Sequence, residues 1–274
     1  MRVMRLGDMT WEEVGDYLNR HDGLIIPIGT CEQHGRHMPL ATDAIIAQAY
    51  ADAIAAETGV PVSPPLAYGV NLPCDRHMPG TAGFSFDALR SSLRSLLEDW
   101  TRHGFRTFYV VTAHGCAADG FSFAHHEAIK EAARPLLVDG ACRLFVLFPY
   151  WTDVSDLLDA QDGVEHAGEV ETSLMLYLRP ELVRTDRAEG GPGEELETRY
   201  HAYPEGIGTA RTPGRSGAEG RPEAAGEEKG RRIFERTLHA LIEQVLANLP
   251  AGGASEEGRA EHTGVRLTGA DDQE

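Results

Sequence analysis

Cysteine is scarce in this sequence, and the few cysteines present are widely spaced. No two of them form a CxxC pair, and their positions follow no repeated spacing that would indicate a disulfide framework. We therefore expect reduced thiols and a cytoplasmic protein. The four cysteines are Cys31, Cys74, Cys116 and Cys142.

Long apolar runs are also missing. No stretch approaches the roughly 20 apolar residues that a membrane-spanning helix needs. The first residues, Met1 to Trp11, lack the apolar segment of a secretory signal. We expect a soluble protein without a membrane partner.

Positive charge is in deficit, because 43 acidic residues stand against 25 basic ones and give a net charge of −18. Such a surface repels polyanions, so we expect no nucleic-acid partner. The hydrophobic share of 42% and the charged share of 25% are ordinary for a globular enzyme. A chain of 274 residues is long enough for one large α/β domain.

What the sequence does contain is an alternation of strands and helices. Short apolar runs such as Gly23 to Gly29 are typical of strands buried on both faces. Strands that alternate with helices predict a mostly parallel central sheet with helices on both faces, which is a three-layer α/β/α fold. The predicted strands are 23–29, 106–112 and 141–147, with 60–66 either a short strand or an extended piece. The predicted helices begin near 11 and span 43–56, 86–103, 121–133, 169–177 and 230–249.

The domain is predicted to occupy residues 1–249. Within it, residues 185–229 are rich in Gly, Glu, Arg and Pro and have no clear period. A loop of this length is usually either functional or disordered. After Pro250 the chain is polar and acidic, so residues 250–274 are predicted to be a disordered tail.

Three candidate metal ligands follow the first predicted strand. Glu32 and His34 lie on the loop that leaves it, and Asp43 stands at or near the start of the next helix. Carboxylate and imidazole groups are good ligands for divalent metals. The spacing alone leaves open that Asp43 only caps the helix and that His34 is only a loop residue.

Two further clusters carry the same residue types. His114 follows the third predicted strand, and ligands of parallel sheets sit at the carboxyl ends of the strands. His166, Glu169 and Glu171 gather at the start of a predicted helix. Alternatively, His114 is a turn histidine bonded to backbone, and the third cluster is an acidic helix start that the helix dipole favours.

Taken together, these motifs resemble the signatures of the creatininase family. The resemblance is collinear over about residues 10–248, and its first and fourth motifs are the specific ones. The matching segments are GTCEQHG at 29–35, HMPL at 37–40, TD at 42–43, YGV at 68–70, HMPGT at 77–81, GFR at 104–106, HG at 114–115, HAG at 166–168, ETS at 171–173, GRP at 220–222 and EKG at 228–230.

The resemblance implies a dinuclear metal centre of Zn, Mn or Fe. Glu32 and His114 would hold one ion, His34 would hold the other, and Asp43 would bridge them. In creatininase itself, an acid two residues after the third-motif histidine ligates the second ion. Cysteine occupies that position here, so Glu171 is the expected fifth ligand and Glu169 is a less favoured one.

The implied reaction is hydrolysis of a C–N bond in an amide, a lactam or a formamide. A hydroxide that bridges the metals would attack the carbonyl carbon. His166 matches the proton-transfer histidine of the family, and would act as a general base and then as a general acid.

The residues around this centre depart from the family pattern. The third motif commonly carries asparagines and reads TAHGCA at 112–117 here, and the Trp-Asp that precedes the proton-transfer histidine of creatininase is absent. These departures favour a substrate other than creatinine. We expect His37 and His77 to line or brace the substrate pocket, or alternatively to be loop histidines bonded to backbone. Cys116 is expected to line the pocket, with a metal ligand and an inert side chain as alternatives. Of His125 and His126, we expect at least one on the surface.

Several alternatives stay open at this point. The chain could be a deformylase or a precursor-peptide-trimming peptidase of the same family. It could also hydrolyse a lactone or a cyclic ketone, or be a metal-binding partner protein without catalysis. In all the catalytic cases the partner is a small-molecule or peptide substrate, and the resemblance implies a closed homo-oligomer, often a hexamer.

Overall fold

Three parallel strands form the central sheet of the computed structural model, which describes residues 3–71, 75–76, 78–115, 124–160, 166–191, 194–195, 211–212 and 216–249. Strands β1 (Gly23–Ile28), β2 (Thr107–Thr112) and β3 (Arg143–Leu147) lie in the order β1-β2-β3. Val62 and Leu66 form isolated parallel bridges along the free edge of β1. Of the two forms predicted for 60–66, the extended segment is the one observed, and it contacts the sheet only through these bridges. A separate antiparallel pair consists of β4 (Glu194–Glu195) and β5 (Arg211–Thr212).

Six α-helices accompany the strands within the described residues. They are α1 (Trp11–Leu18), α2 (Thr42–Thr58), α3 (Phe86–His103), α4 (Ala124–Val138), α5 (Glu169–Leu178) and α6 (Glu227–Asn248). Single 3-10 turns lie at Leu6–Asp8, Pro149–Trp151, Ser155–Leu157, Pro180–Leu182, Thr185–Arg187 and Pro222–Ala224. Of these described helices, none combines the length and the apolar character needed to cross a membrane.

The helices cover the sheet on both faces, as the alternating pattern predicts. Side chains of a strand point to opposite faces in turn, so Ile25 of β1 packs with α2, α5 and α6. Its neighbours Leu24 and Ile26 pack on the other face with α1, α3 and α4. Every residue of β1 and β2 is buried, whereas β3 at the edge is only partly buried. The three-layer α/β/α fold is confirmed.

Local signals in the sequence account for most helix boundaries. Thr10 caps α1, and Glu13 completes the capping box by accepting from the backbone of Thr10. Ser85 caps the start of α3. The helix ends at His103, and the next residue, Gly104, adopts the left-handed conformation. The helix predicted at 121–133 runs to Val138 because Pro135 is accommodated within it, and the last helix begins at Glu227 rather than at 230.

Helices α5 and α6 approach each other closely at Gly230, where a Cβ atom would overlap the backbone carbonyl of Ser173. We expect Gly230→Ala to lower the free energy of unfolding by about 1–3 kcal/mol, because an added methyl group forces packed backbones apart. Urea denaturation measures this change. The matched control is Gly15→Ala in α1, where nothing lies within 4 Å of the added methyl. At Gly15, alanine has the better helix propensity, so the substitution should raise the free energy of unfolding by up to about 1 kcal/mol. Equal effects of the two substitutions would contradict the close approach.

Candidate metal centre

The loop after β1 carries two of the candidate ligands. Gly29 lies against the first turn of α2, and a Cβ there would overlap the backbone of Ala44. Glu32 is held by a backbone hydrogen bond from its nitrogen to the oxygen of Leu40, 2.9 Å long. The Nδ1 atom of His34 lies 3.0 Å from the backbone oxygen of Glu32, to which it donates. The Nε2 atom of His34 is therefore the ring nitrogen left for a ligand.

The carboxylate of Asp43 lies between two groups of candidate ligands. Its Oδ1 is 3.2 Å from Nε2 of His34, and Oε2 of Glu171 is 3.8 Å from the same nitrogen. Its Oδ2 is 3.2 Å from Nδ1 of His114, which is 3.0 Å from Oε2 of Glu32. In each group, one ligand atom per residue lies within 4.8 Å of the others. The two groups share only Asp43.

Two observations at Asp43 fit a bridging ligand. The residue is 1% exposed, so neither oxygen is solvated. Its Oδ2 atom lies 3.2 Å from Nδ1 of His114 but makes no hydrogen bond of acceptable geometry to any described residue. A buried carboxylate oxygen without a hydrogen bond is costly, and a divalent cation is a partner that would satisfy it. The nitrogen and oxygen donors gathered here suit Zn, Mn or Fe.

The electrostatics of the site favour positive charge. Burial alone would lower the pKa of His34, but the charge and hydrogen bond of Asp43, followed by the charge of Glu171, raise it to about 10. The effect of burial on His114 is likewise outweighed by Glu32 and Asp43, which raise its pKa well above the ordinary value. Burial would raise the pKa of Asp43, yet the two histidines lower it. Buried carboxylates that draw protons onto histidines would also attract cations.

His166 lies beside this centre, where the chain enters α5. Its ring centroid is 4.7 Å from that of His34, and its Nε2 is 2.7 Å from the backbone oxygen of Gln33. Its backbone pairs with Glu219, which comes from the loop predicted at 185–229. The next residue, Ala167, has a φ of 55°, a conformation that non-glycine residues rarely adopt. The strained turn brings the nitrogen of Ala167 within 2.7 Å of Oε2 of Glu171.

Residues 7–245 match the family described as creatininase, creatinine amidohydrolase. The chain belongs to the creatininase family. Creatinine amidohydrolase of Pseudomonas putida is 29% identical over 260 residues, which cover 89% of this chain and 97% of that protein. The mycofactocin precursor peptide peptidase of Mycobacterium ulcerans (strain Agy99) is 29% identical over 263 residues, which cover 91% of this chain and 94% of that protein.

Solved structures agree with this assignment. A mutant creatininase described as the Zn-Zn type matches with a TM-score of 0.77 at 27% identity, over 92% of this chain and 100% of that one. The predicted family and fold are therefore confirmed. Membership of the creatininase family makes the chain a relative of hydrolases, and its clustered histidines and carboxylates are able to hold metal.

Within this creatininase-family site, Glu171 and Glu169 have different surroundings. Glu171 lies in the group with His34 and Asp43. Glu169 forms an ion pair with Lys229 and accepts hydrogen bonds from the backbone nitrogens of residues 159 and 160. Oε2 of Glu171 also accepts a hydrogen bond from Ala167, but it lies 3.8 Å from Nε2 of His34, so the geometry favours Glu171 as the fifth ligand.

The predicted pocket residues are only partly described. His37 is fully buried, and its Nε2 is 2.9 Å from Oγ1 of Thr172 on α5. This place favours a role in bracing α5 over direct contact with substrate. His77 and Cys116 lie outside the described residues, as does the predicted tail at 250–274.

Sequence reasoning missed several polar residues that support the site. Gln33 stands between two candidate ligands, and its Nε2 is 2.8 Å from Oδ1 of Asp75 and 2.9 Å from Nε2 of His166. Burial, followed by the charge of Glu32, raises the pKa of Asp75 to about 6. Gln33 could have been recognised from the sequence, because it stands between two candidate ligands. No comparable signal marks Asp75.

The expectation that His125 or His126 lies on the surface is wrong. The two residues are 2% and 4% exposed. They occupy the first turn of α4, directly behind the end of β2, so both point into the protein.

Proposed function

We propose that this member of the creatininase family is a two-metal hydrolase that cleaves a C–N bond of an amide, a lactam or a formamide. The observation that carries the proposal is the place of Asp43, whose two buried oxygens face two different ligand groups. Glu32 and His114 would complete the site of one divalent ion. His34 and Glu171 would complete the site of the other.

Divalent ions bound there would lower the pKa of water and polarise a substrate carbonyl. The chain itself would supply the proton transfer. His166 is half-buried beside His34, so its ring is close to the ligands and still accessible. It would take the proton of the attacking water and deliver it to the leaving nitrogen, because an amide anion is too basic to leave without one.

Two of the relatives support an amide as the scissile group. One is named for creatinine and one for a precursor peptide, and both names denote C–N hydrolysis. We propose a substrate other than creatinine, since the third motif and the Trp-Asp of creatininase are altered here. A peptide is the second candidate, because the peptidase relative is similar over 91% of this chain.

Removal of metal tests the proposal directly. Dialysis against a strong chelator is expected to lower turnover by about 1,000-fold, because metal polarisation and water activation contribute several kcal/mol to the transition state. Refilling with Zn²⁺ or Mn²⁺ should restore turnover, whereas Ca²⁺, which prefers oxygen ligands, should not. Elemental analysis before and after chelation gives the number of ions per chain.

The substrates for this measurement form a panel of a formamide, a lactam, creatinine, a short peptide, a lactone and a cyclic ketone. Metal-dependent hydrolysis of the formamide, the lactam or the peptide supports the proposal and selects the substrate class. If only the lactone or the ketone is turned over, the proposed C–N cleavage is wrong and the alternative reaction takes its place. Full turnover by the metal-free chain would contradict a metal mechanism, and a metal-loaded chain that hydrolyses nothing in the panel would favour a non-catalytic protein.

A further inference from the structure

The candidate ligand His114 directs one particular ring nitrogen toward the other ligands. Its Nε2 donates a hydrogen bond of 2.9 Å to the backbone oxygen of Val70. A carbonyl oxygen can only accept, so this bond keeps the ring proton on Nε2. The other ring nitrogen, Nδ1, then faces Glu32 and Asp43. The place of Val70 therefore decides which nitrogen of His114 is available for a metal.

Val70 is held in turn by the buried side chain of His125. The backbone nitrogen of Val70 donates to Nδ1 of His125 at 3.2 Å. A backbone N–H can only donate, so Nδ1 of His125 carries no proton and its Nε2 does. That Nε2 lies 3.1 Å from Oγ1 of Thr112, to which it donates. The neutral imidazole thus joins the segment at Val70 to the end of β2.

Thr112 closes the network onto the ligand. Its Oγ1 also accepts a hydrogen bond from the backbone nitrogen of His114, 3.3 Å long. The rings of His114 and His125 meet edge to face, with centroids 4.9 Å apart and planes at 82°. The residue before Val70 also packs tightly against His125, because a Cβ atom at Gly69 would lie only 2.7 Å from Nδ1 of His125. His125 makes two hydrogen bonds of this ring, and the other two join His114 to Val70 and Thr112, the residues that His125 contacts.

The next residue on α4 holds the same ligand at another atom. Nε2 of His126 is 3.1 Å from the backbone oxygen of His114, and its ring packs edge-on against Phe148. Side chain and backbone of His114 are thus both held from the first turn of α4. The family's third motif commonly places asparagines beside this histidine, and this chain has none there. In this chain, two histidines of α4, His125 and His126, provide hydrogen bonds around His114.

We propose that His125 is a positioning residue of the metal centre, which holds Val70 and Thr112 so that His114 presents Nδ1 to a divalent ion. This inference rests on the proposed function. Hydrogen bonds behind a metal ligand typically change metal affinity by about 10–100-fold. The effect should fall on the ion held by Glu32, Asp43 and His114, and spare the ion on the side of His34 and Glu171.

The test is competition for Zn²⁺ between the metal-free protein and a chromophoric chelator. His125→Phe, which keeps a ring and loses both hydrogen bonds, is expected to weaken one of two Zn²⁺ sites by about 10–100-fold. In the Co²⁺-loaded protein, the visible absorption of one site should shift. Should His125→Phe fail to fold, Thr112→Val removes the shared acceptor with little change of shape and should weaken the same site. The matched control is Tyr50→Phe, which deletes a buried hydrogen bond to Thr237 far from the ligands and should leave both sites unchanged.

A conservative substitution distinguishes a positioning role of the His125 side chain from simple filling of space. His125→Asn keeps an acceptor near the Nδ1 position, so it should retain more affinity than His125→Phe. Two Zn²⁺ sites with wild-type constants in both His125→Phe and Thr112→Val would overturn this inference and leave the proposed function intact. A wild-type chain that binds no Zn²⁺, Mn²⁺ or Fe²⁺ would overturn the proposed function and the inference together.

Discussion

Asp43→Asn is expected to release both metal ions from the chain. Asp43 is the residue shared by the two ligand groups, with one oxygen 3.2 Å from His34 and the other 3.2 Å from His114. Asparagine replaces one oxygen by an NH₂ group, which is a donor and does not ligate a cation. We expect a loss of affinity above the roughly 10–100-fold that outer hydrogen bonds contribute, and turnover should fall with it.

Elemental analysis after gel filtration measures the result, with circular dichroism as the check on folding. The matched control is Asp52→Asn, which makes the same chemical change on the same helix. Asp52 pairs with the exposed Arg5 and lies outside the ligand groups, so its replacement should leave metal content at the wild-type level. Two ions per chain in Asp43→Asn would contradict the bridging role of Asp43. One ion per chain would show that Asp43 serves a single metal.

His166→Ala is expected to lower turnover by about 100- to 10,000-fold, which is the usual contribution of general acid–base catalysis. Its Nε2 already contacts the backbone oxygen of Gln33 and lies beside the ring of His34. Because the proposal assigns His166 to the proton and not to the metal, the variant should keep both ions. Steady-state kinetics and metal content on the same preparation give the two readouts.

Metal content is decisive for His166 because geometry admits a second role. Glu32, His34 and His166 also form a group close enough to share an ion. Loss of one ion in His166→Ala would make this histidine a ligand, and unchanged turnover would remove it from the mechanism. The matched control is His239→Ala, an exposed histidine of α6 that pairs with Glu243, which should affect neither readout.

Residues that act through local spacing were predictable from the sequence. The boundaries of α3 were predicted at 86–103 and are observed there, since Ser85 is a local start signal and Gly104 a local stop signal. Glu32, His34 and Asp43 were recognised as a candidate cluster because only a short loop separates them, and the structure brings their side chains together. His114 joins them because neighbouring parallel strands end at one edge of a sheet.

The choice between Glu169 and Glu171 could not be made in the same way. Both lie in the first turn of α5, and both are acidic. What separates them is Lys229, sixty residues further along the chain, which pairs with Glu169. The burial of His125 and His126 was missed for the same reason, since the loop and strand that cover them are distant in sequence.

The sequence by itself determined the family, the order of strands and helices, and the kinds of side chain that gather at the carboxyl edge of the sheet. These depend on local patterns and on motifs of contiguous residues. Only the tertiary structure decided which oxygen of Asp43 faces which group, and which nitrogen of His34 and His114 is free. For His114 the choice depends on the backbone oxygen of Val70, which is distant in sequence, and for His34 it depends on how the loop places the oxygen of Glu32. Both arrangements exist only after the chain has folded.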